Sequence, residues 1–273
     1  MAYPISFPQE QPMVTVTHPK DGLWVIEMHN GDDSRLTHEF IGNAFMPALD
    51  AVERHWRDNW RQATQTKNKD GGRGAVVIVG NRKQHKFFSN GLEYERASKD
   101  PFFWSKFYDP MVHRLLTFPI PTVAALNGHT FAGAMILSLS CDYRVMVDGS
   151  KRNAWMCMNE VQFGAAWPYP FGLVVHAKVT DAQTVRKIAL EGHRFTPAEA
   201  LKCGLVDHIV PGDTEDVLNK AQQVAESVSG HAQAGVWGVI RSDLYASAVK
   251  ATRRSDYRGR SAAQDDFEAK ARL

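Results

Sequence analysis

The residues best suited to do chemistry are Asn127-Gly128-His129-Thr130-Phe131-Ala132-Gly133-Ala134-Met135-Ile136-Leu137. A β-type run, Pro121 to Leu126, leads into them, and a short apolar helix ending near Cys141 leads away. The first N–H groups of such a helix lack intrahelical acceptors, and the helix dipole adds partial positive charge there. Gly133, between two alanines, lets an oxygen approach the main chain more closely than a larger residue would. The stretch suits an oxyanion, and it equally fits a Gly/Ala-rich helix start packed in a core. Gly128 and Gly133 have P-loop spacing, but Ala134 and Met135 stand where Lys and Ser/Thr would be needed, so nucleotide hydrolysis does not follow.

Lys86-Phe87-Phe88-Ser89-Asn90-Gly91-Leu92-Glu93 repeats the logic: a strand, a Gly turn, then a helix. Two such turns can aim two main-chain N–H groups at one carbonyl oxygen, as a thioester-binding fold requires. Other chemistries find less support. The eleven histidines show no HExxH or similar ligand spacing, and no Cys/His cluster resembles a zinc site, so no metal is expected. There is no GxSxG elbow, and Cys157 has no paired base nearby in sequence. His129 sits at the turn, where it fits a structural role or a touch on substrate.

The elements that must position these turns are legible from periodicity. Val14 to Thr17 and Leu23 to Met28 flank Asp21-Gly22 and predict a hairpin. Helical spacing runs from Thr37 to about Trp60, with Pro47 able to bend it, and a polar loop is expected from Thr64 to Gly74. Ala75 to Gly80 reads as a strand buried on both faces. Asp100 to Thr117 reads as an aromatic-rich helix whose Phe102, Phe103, Trp104, Phe107 and Tyr108 fit either a core or an acyl pocket. Strands follow at Thr122 to Leu126 and Asp142 to Val147, then a Gly/Pro-rich loop from Gly164 to Gly172, then helices to the end. The order implies an α/β core with a helical tail.

At 273 residues, with a formal charge of +2 and interspersed signs, the chain gives no reason to expect nucleic acid. Its three cysteines, Cys141, Cys157 and Cys203, form no disulfide pattern and are expected as reduced thiols. Met1 to Pro12 lacks the basic start and apolar run of a secretory signal, and the longest nearly apolar run, Phe131 to Cys141, is too short to span a bilayer. Ala271-Arg272-Leu273 fits the small-basic-leucine pattern of a peroxisomal address and implies an import receptor as partner; otherwise the protein is expected in the cytoplasm.

Over nearly its whole length the chain resembles the crotonase (enoyl-CoA hydratase/isomerase) superfamily. The resemblance is carried by Phe88-Ser89-Asn90-Gly91-Leu92, Pro121 to Asp142, Asn159-Glu160-Val161-Gln162-Phe163-Gly164, and Gly192 to Ala200 followed by Gly204-Leu205-Val206. It implies a spiral of ββα units over residues 1–200, a helical trimerisation region over 201–273, and a trimer or pair of trimers. It also implies that the N–H groups of Leu92 and Gly133 form an oxyanion hole for an acyl-CoA thioester. CoA would lie along Lys86 to Gly91 as part of the substrate, with no separate cofactor. Lys83 or Lys86 would meet its phosphates or remain solvated. The implied substrate-binding set is Lys86, Phe88, Ser89, Asn90, Gly91, Ala132, Ile136 and Trp167.

Hydratases of the family carry one glutamate at the place of Ile136 and another at the place of Glu160. Ile136 can neither hydrogen-bond nor accept a proton, which leaves Glu160. One base suffices to move a double bond from the 3- to the 2-position of an enoyl-CoA, with the oxyanion hole holding a dienolate. The context of Glu160 is similar to the peroxisomal and mitochondrial isomerases, and Trp167, Tyr169 and Phe171 fit either a dry pocket floor or plain packing. A Δ3,Δ2-enoyl-CoA isomerase of unsaturated fatty acid β-oxidation is therefore the expectation. The alternatives are a hydratase-like enzyme of secondary metabolism using another acid, and a non-catalytic acyl-CoA-binding protein.

Overall fold

A computed structural model describes residues 2–254 and 261–272. In chain order its elements begin with β1 (Ile5–Phe7), β2 (Val14–Lys20), β3 (Leu23–Met28), α1 (Met46–Thr66), β4 (Ala75–Val79), β5 (Phe87–Ser89), α2 (Tyr94–Ala97) and α3 (Asp109–Leu116). The central part holds β6 (Thr122–Leu126), β7 (His129–Phe131), α4 (Gly133–Ser140), β8 (Tyr143–Val147), β9 (Met156–Cys157), α5 (Tyr169–Lys178), α6 (Ala182–Ala189) and α7 (Pro197–Lys202). Then come β10 (His208–Val210), α8 (Thr214–Val228), α9 (Trp237–Leu244), α10 (Ala246–Ala251) and α11 (Ala262–Arg272).

Two sheets result. The larger runs β1-β2-β3-β4-β6-β8-β10, antiparallel across its first three strands and parallel from β3 onward. The smaller, β5-β7-β9, is all parallel. Ala75 to Val79 and Thr122 to Leu126 are buried on both faces, which is why they read as unbroken apolar or β-branched runs. α8 lies across β4, β6 and β8, while α4 packs among α3, α5 and β7.

Several expectations change. The strand ending at Leu126 does not feed the glycine-rich helix directly. Asn127 accepts the Gly80 amide at 3.1 Å, and at Gly128 a Cβ would stand 2.4 Å from the Lys86 carbonyl oxygen, so the chain turns there without a side chain and enters the second sheet as β7. Residues 164–172 were expected as loop, yet α5 begins at Tyr169 because Pro170 occupies its first turn, where a missing N–H costs nothing. Pro47 likewise opens α1 rather than bending it, after a π-helical segment, Phe40–Phe45. α1 then runs to Thr66 and ends on Lys67 at φ 56°, which shortens the predicted loop. The aromatic-rich helix is also in two pieces, π-helical over Trp104–Tyr108 and α-helical as α3.

The division expected at residue 200 is not a boundary of the sheet. β10 pairs with β8, so the region expected as helical also supplies the last strand. Leu273 lies outside the described residues, as do the side chains of Ala271 and Arg272.

Candidate active site

The turn after β5 is gripped by the segment Asp33 to Leu36, and the bonding can be followed atom by atom. The Asn90 amide donates to Asp33 O at 2.9 Å, and the Gly91 amide donates to Ser89 Oγ at 3.2 Å. Ser89 Oγ in turn donates to Ser34 O at 2.7 Å. The carbonyl of Asn90 accepts from Arg35 Nη1 at 3.2 Å, that of Gly91 from the Leu36 amide at 2.8 Å, and that of Leu92 from Arg35 Nη1 at 2.8 Å. Among the described residues the Leu92 N–H is left as the one main-chain polar group of residues 90–92 without a protein acceptor. A buried amide left open in this way is a donor reserved for something else.

The second turn reaches the same place. Ala132 holds φ 52° and ψ −126°, a left-handed geometry uncommon for a residue with a side chain, and its amide donates to Cys157 O at 2.8 Å. Gly133 then starts α4, so its own N–H has no intrahelical partner. The two turns touch: a Cβ on Gly91 would lie 2.7 Å from Phe131 O and 3.4 Å from the Gly133 nitrogen, and Gly91 sits at φ +76°. A Cβ on Gly133 would meet Leu92 Cγ and the Tyr108 hydroxyl, each at 3.1 Å. Tyr108 donates to Gly133 O at 2.6 Å. Burial holds its phenol well above the usual range, with further contributions from the charges of Glu160 and Asp109.

Glu160 opens a single 3-10 turn, Glu160–Phe163, with two residues between it and the end of β9 at Cys157. It is 7% exposed, and burial raises its carboxyl to about 7, against the opposing hydrogen bonds of its own backbone and of Trp167. Trp167 Nε1 donates to Glu160 Oε2 at 3.3 Å. Leu92, Ala132 and Glu160 all line one cavity of about 210 Å³, whose walls include Trp104, Phe131, Phe163, Ala165 and Phe171. Tyr94 and Phe163, both partly exposed, meet ring edge to face with centroids 5.3 Å apart. Gly133 itself does not line the cavity; its open amide stands next to the lining residue Ala132, at the start of α4. A largely apolar chamber with Leu92, whose amide is open, and a carboxyl raised to about 7 in its wall is suited to hold an anionic oxygen and pass a proton.

The other predicted residues divide. Asn90 lines the cavity beside Ala132, and Trp167 touches the Glu160 carboxylate. Phe88 and Ile136 are fully buried core side chains that do not line it, and Ser89 and Gly91 act through the turn rather than through the cavity wall. Lys86 is exposed, with its Nζ 5.2 Å from the centre of the Phe87 ring, away from the cavity. His129 accepts the Trp155 amide on Nδ1 at 3.1 Å, a structural contact. Of the aromatic cluster, Trp104 reaches the cavity while Phe103 and Tyr108 are core.

Sequence reasoning missed Arg35, Tyr94 and the role of Tyr108, because each becomes relevant only when distant segments meet, and it missed Asn159, the chain neighbour of Glu160. It also missed Asp109, a second buried acid raised to about 7 by burial, which does not line the cavity. Three larger grooves, of about 490, 740 and 530 Å³, are open and lined mainly by polar side chains. Among the described residues no group of three His, Cys, Asp or Glu is gathered as a metal site, and no helix is long and apolar enough to cross a membrane.

Comparison with known proteins agrees with this architecture. The chain is 32% identical over 183 residues to the peroxisomal enoyl-CoA delta isomerase 2 of Arabidopsis thaliana, covering 63% of this chain and 74% of that one. It is 33% identical over 181 residues to enoyl-CoA delta isomerase 3 of the same plant, with the same shares covered. A crystal structure of an enoyl-CoA hydratase from Mycobacterium marinum superposes with a TM-score of 0.69 at 28% identity, covering 94% of this chain and 98% of that one. The human mitochondrial delta3-delta2-enoyl-CoA isomerase shares the fold, with a TM-score of 0.69 at 22% identity over 94% of this chain and 91% of that one. Residues 46–265 match the enoyl-CoA hydratase/isomerase family model, and the chain belongs to that family.

Proposed function

We propose that this protein is a Δ3,Δ2-enoyl-CoA isomerase that works with a single glutamate. The observation carrying the reading is that Glu160 is the one carboxylate among the described residues lining the cavity, while Ile136 is an apolar core side chain. Relatives named enoyl-CoA delta isomerase support it. The thioester oxygen sits against the amides of Leu92 and Gly133. The Glu160 carboxylate removes a proton from C2 of the 3-enoyl chain, and the electron pair spreads into a dienolate whose charge falls on that oxygen. The same carboxyl then returns the proton to C4, leaving the double bond at C2 and the carboxylate restored. No water and no second acid is consumed, and the apolar walls keep solvent from the dienolate.

CoA arrives as part of the substrate along Lys86 to Gly91. Self-association into trimers or pairs of trimers belongs to the same proposal, supported by the exposed apolar face of α9. So does a peroxisomal site of action, in line with relatives named peroxisomal. The test supplies 3-hexenoyl-CoA and 2-hexenoyl-CoA separately and follows isomerisation and hydration. Isomerisation of the first by the wild type, lost by at least a thousandfold in Glu160→Gln, is the expected result. Turnover of Glu160→Gln at the wild-type rate would remove the base from this scheme.

A further inference from the structure

We propose that Arg35 is the positioning residue that keeps the Leu92 amide aimed into the cavity. The inference rests on the oxyanion reading given above and adds to it the side chain that makes one of the two donors dependable. An amide whose peptide plane is free to rotate is half a donor, since a flip would present the Gly91 carbonyl oxygen to the substrate instead of the Leu92 N–H. That flip turns on the backbone torsions either side of the 91–92 peptide, so it is resisted by whatever fixes the peptide itself and the two planes that flank it.

Each of those planes has a holder. The Gly91 carbonyl is held by the Leu36 amide at 2.8 Å. The flanking carbonyls, of Asn90 and Leu92, both accept from one nitrogen, Arg35 Nη1, at 3.2 and 2.8 Å. Arg35 is held in turn: its Nε donates to Asp33 Oδ2 at 2.8 Å, and its carbonyl accepts Asn30 Nδ2 at 2.6 Å. Asp33 Oδ2 also accepts Asn90 Nδ2 at 3.0 Å, which ties the brace back to the turn it supports.

Arg35 lines both the cavity and the adjoining polar groove, so direct capture of a substrate phosphate is the competing role. The bonding argues against it. The Asp33 carboxylate compensates the guanidinium charge, and the Nη1 donor is spent on carbonyls rather than offered to the groove. The planar fork also explains the residue type. A lysine ammonium at this place carries the charge but cannot bridge the two carbonyls and Asp33 in one fixed plane.

The experiment compares wild type, Arg35→Met and Arg35→Lys in two readouts. The first is steady-state isomerisation of 3-hexenoyl-CoA. The second is the infrared carbonyl stretch of bound hexanoyl-CoA labelled with carbon-13 at the thioester carbon, a saturated ligand that cannot react. In the wild type the bound stretch moves to lower frequency than in solution, as hydrogen bonds to the oxygen polarise it. Arg35→Met is expected to lose most of that shift and to lower kcat roughly tenfold to a hundredfold, with KM changed less than about threefold. Arg35→Lys should recover little of either, and it carries the comparison if Arg35→Met does not fold. A rise in KM with kcat and the carbonyl shift intact overturns the proposal in favour of phosphate capture. A wild type whose bound carbonyl shows no shift overturns the oxyanion reading itself, and the variants are not needed to see it.

Discussion

Glu160 is a carboxyl held where water reaches it poorly, and its pH behaviour follows from that. In the fold it ionises near 7, while in the unfolded chain it returns to its ordinary 4.5. Between those values the folded state holds a proton that the unfolded state has lost, so this residue's contribution to stability falls as pH rises through that window. Above 7 the penalty is complete and amounts to roughly 3 kcal/mol; below 4.5 it is absent. Glu160→Gln should therefore raise Tm at pH 8 and leave it nearly unchanged at pH 4, even as it abolishes turnover. In the proposed scheme catalysis runs the other way, because a base must be ionised: kcat/KM should climb with pH and level off above about 7. An inflection near 4.5 in that profile, with no gain in Tm for the glutamine variant at pH 8, would show that the carboxyl is solvated.

At the scale of elements, the site is a meeting of two backbone turns, one before α2 and one at the start of α4. Added bulk meets a close neighbour at both. Gly133→Ala places a methyl 3.1 Å from both Leu92 Cγ and the Tyr108 hydroxyl, so one of them must yield. The expected cost is about tenfold in kcat, with the fold retained. Gly133→Pro removes the N–H outright and should cost about 3 kcal/mol of transition-state stabilisation. Retained turnover in the proline variant, with Tm close to wild type, would take Gly133 out of the oxyanion hole. α3 belongs to the same unit: Tyr108, immediately before it, fixes the Gly133 carbonyl, and Asp109 in its first turn stays buried without a partner for Oδ1.

On the scale of the whole molecule, the larger sheet is closed by β10 and backed by α8, and the helices after it leave one surface unfinished. Val239, Ile240 and Leu244 of α9 are 62%, 60% and 68% exposed, with Ile240 and Leu244 one turn apart and Val239 adjoining them. An apolar stripe of this kind is what a self-associating surface leaves bare in a single chain. Val239→Glu combined with Ile240→Lys should reduce the mass measured by light scattering from that of a trimer or hexamer to that of one chain, while Arg241, buried beside Asp142, is left in place. A wild-type protein already monomeric at micromolar concentration would end the assembly proposal.

The sequence by itself determined the parts whose physics is local. The buried strands at 75–79 and 122–126 follow from unbroken apolar or β-branched runs, α4 follows from its glycine start and apolar run, and the motifs around Gly133 and Glu160 mark them as candidates. Where the chain misled, a local signal had two meanings. Proline near 168–170 marks a loop or a helix start, and only the packing of α5 against α4 chooses between them. Tertiary structure alone decided that Arg35 braces a turn 55 to 57 residues away, that Tyr108 bonds to Gly133, and that Ile136 and Phe88 face the core and not the cavity. Hydrogen bonds between segments far apart in the chain leave no periodicity in it. An ionisation pushed to near 7 is likewise set by what surrounds a carboxyl in space, not by its neighbours in sequence.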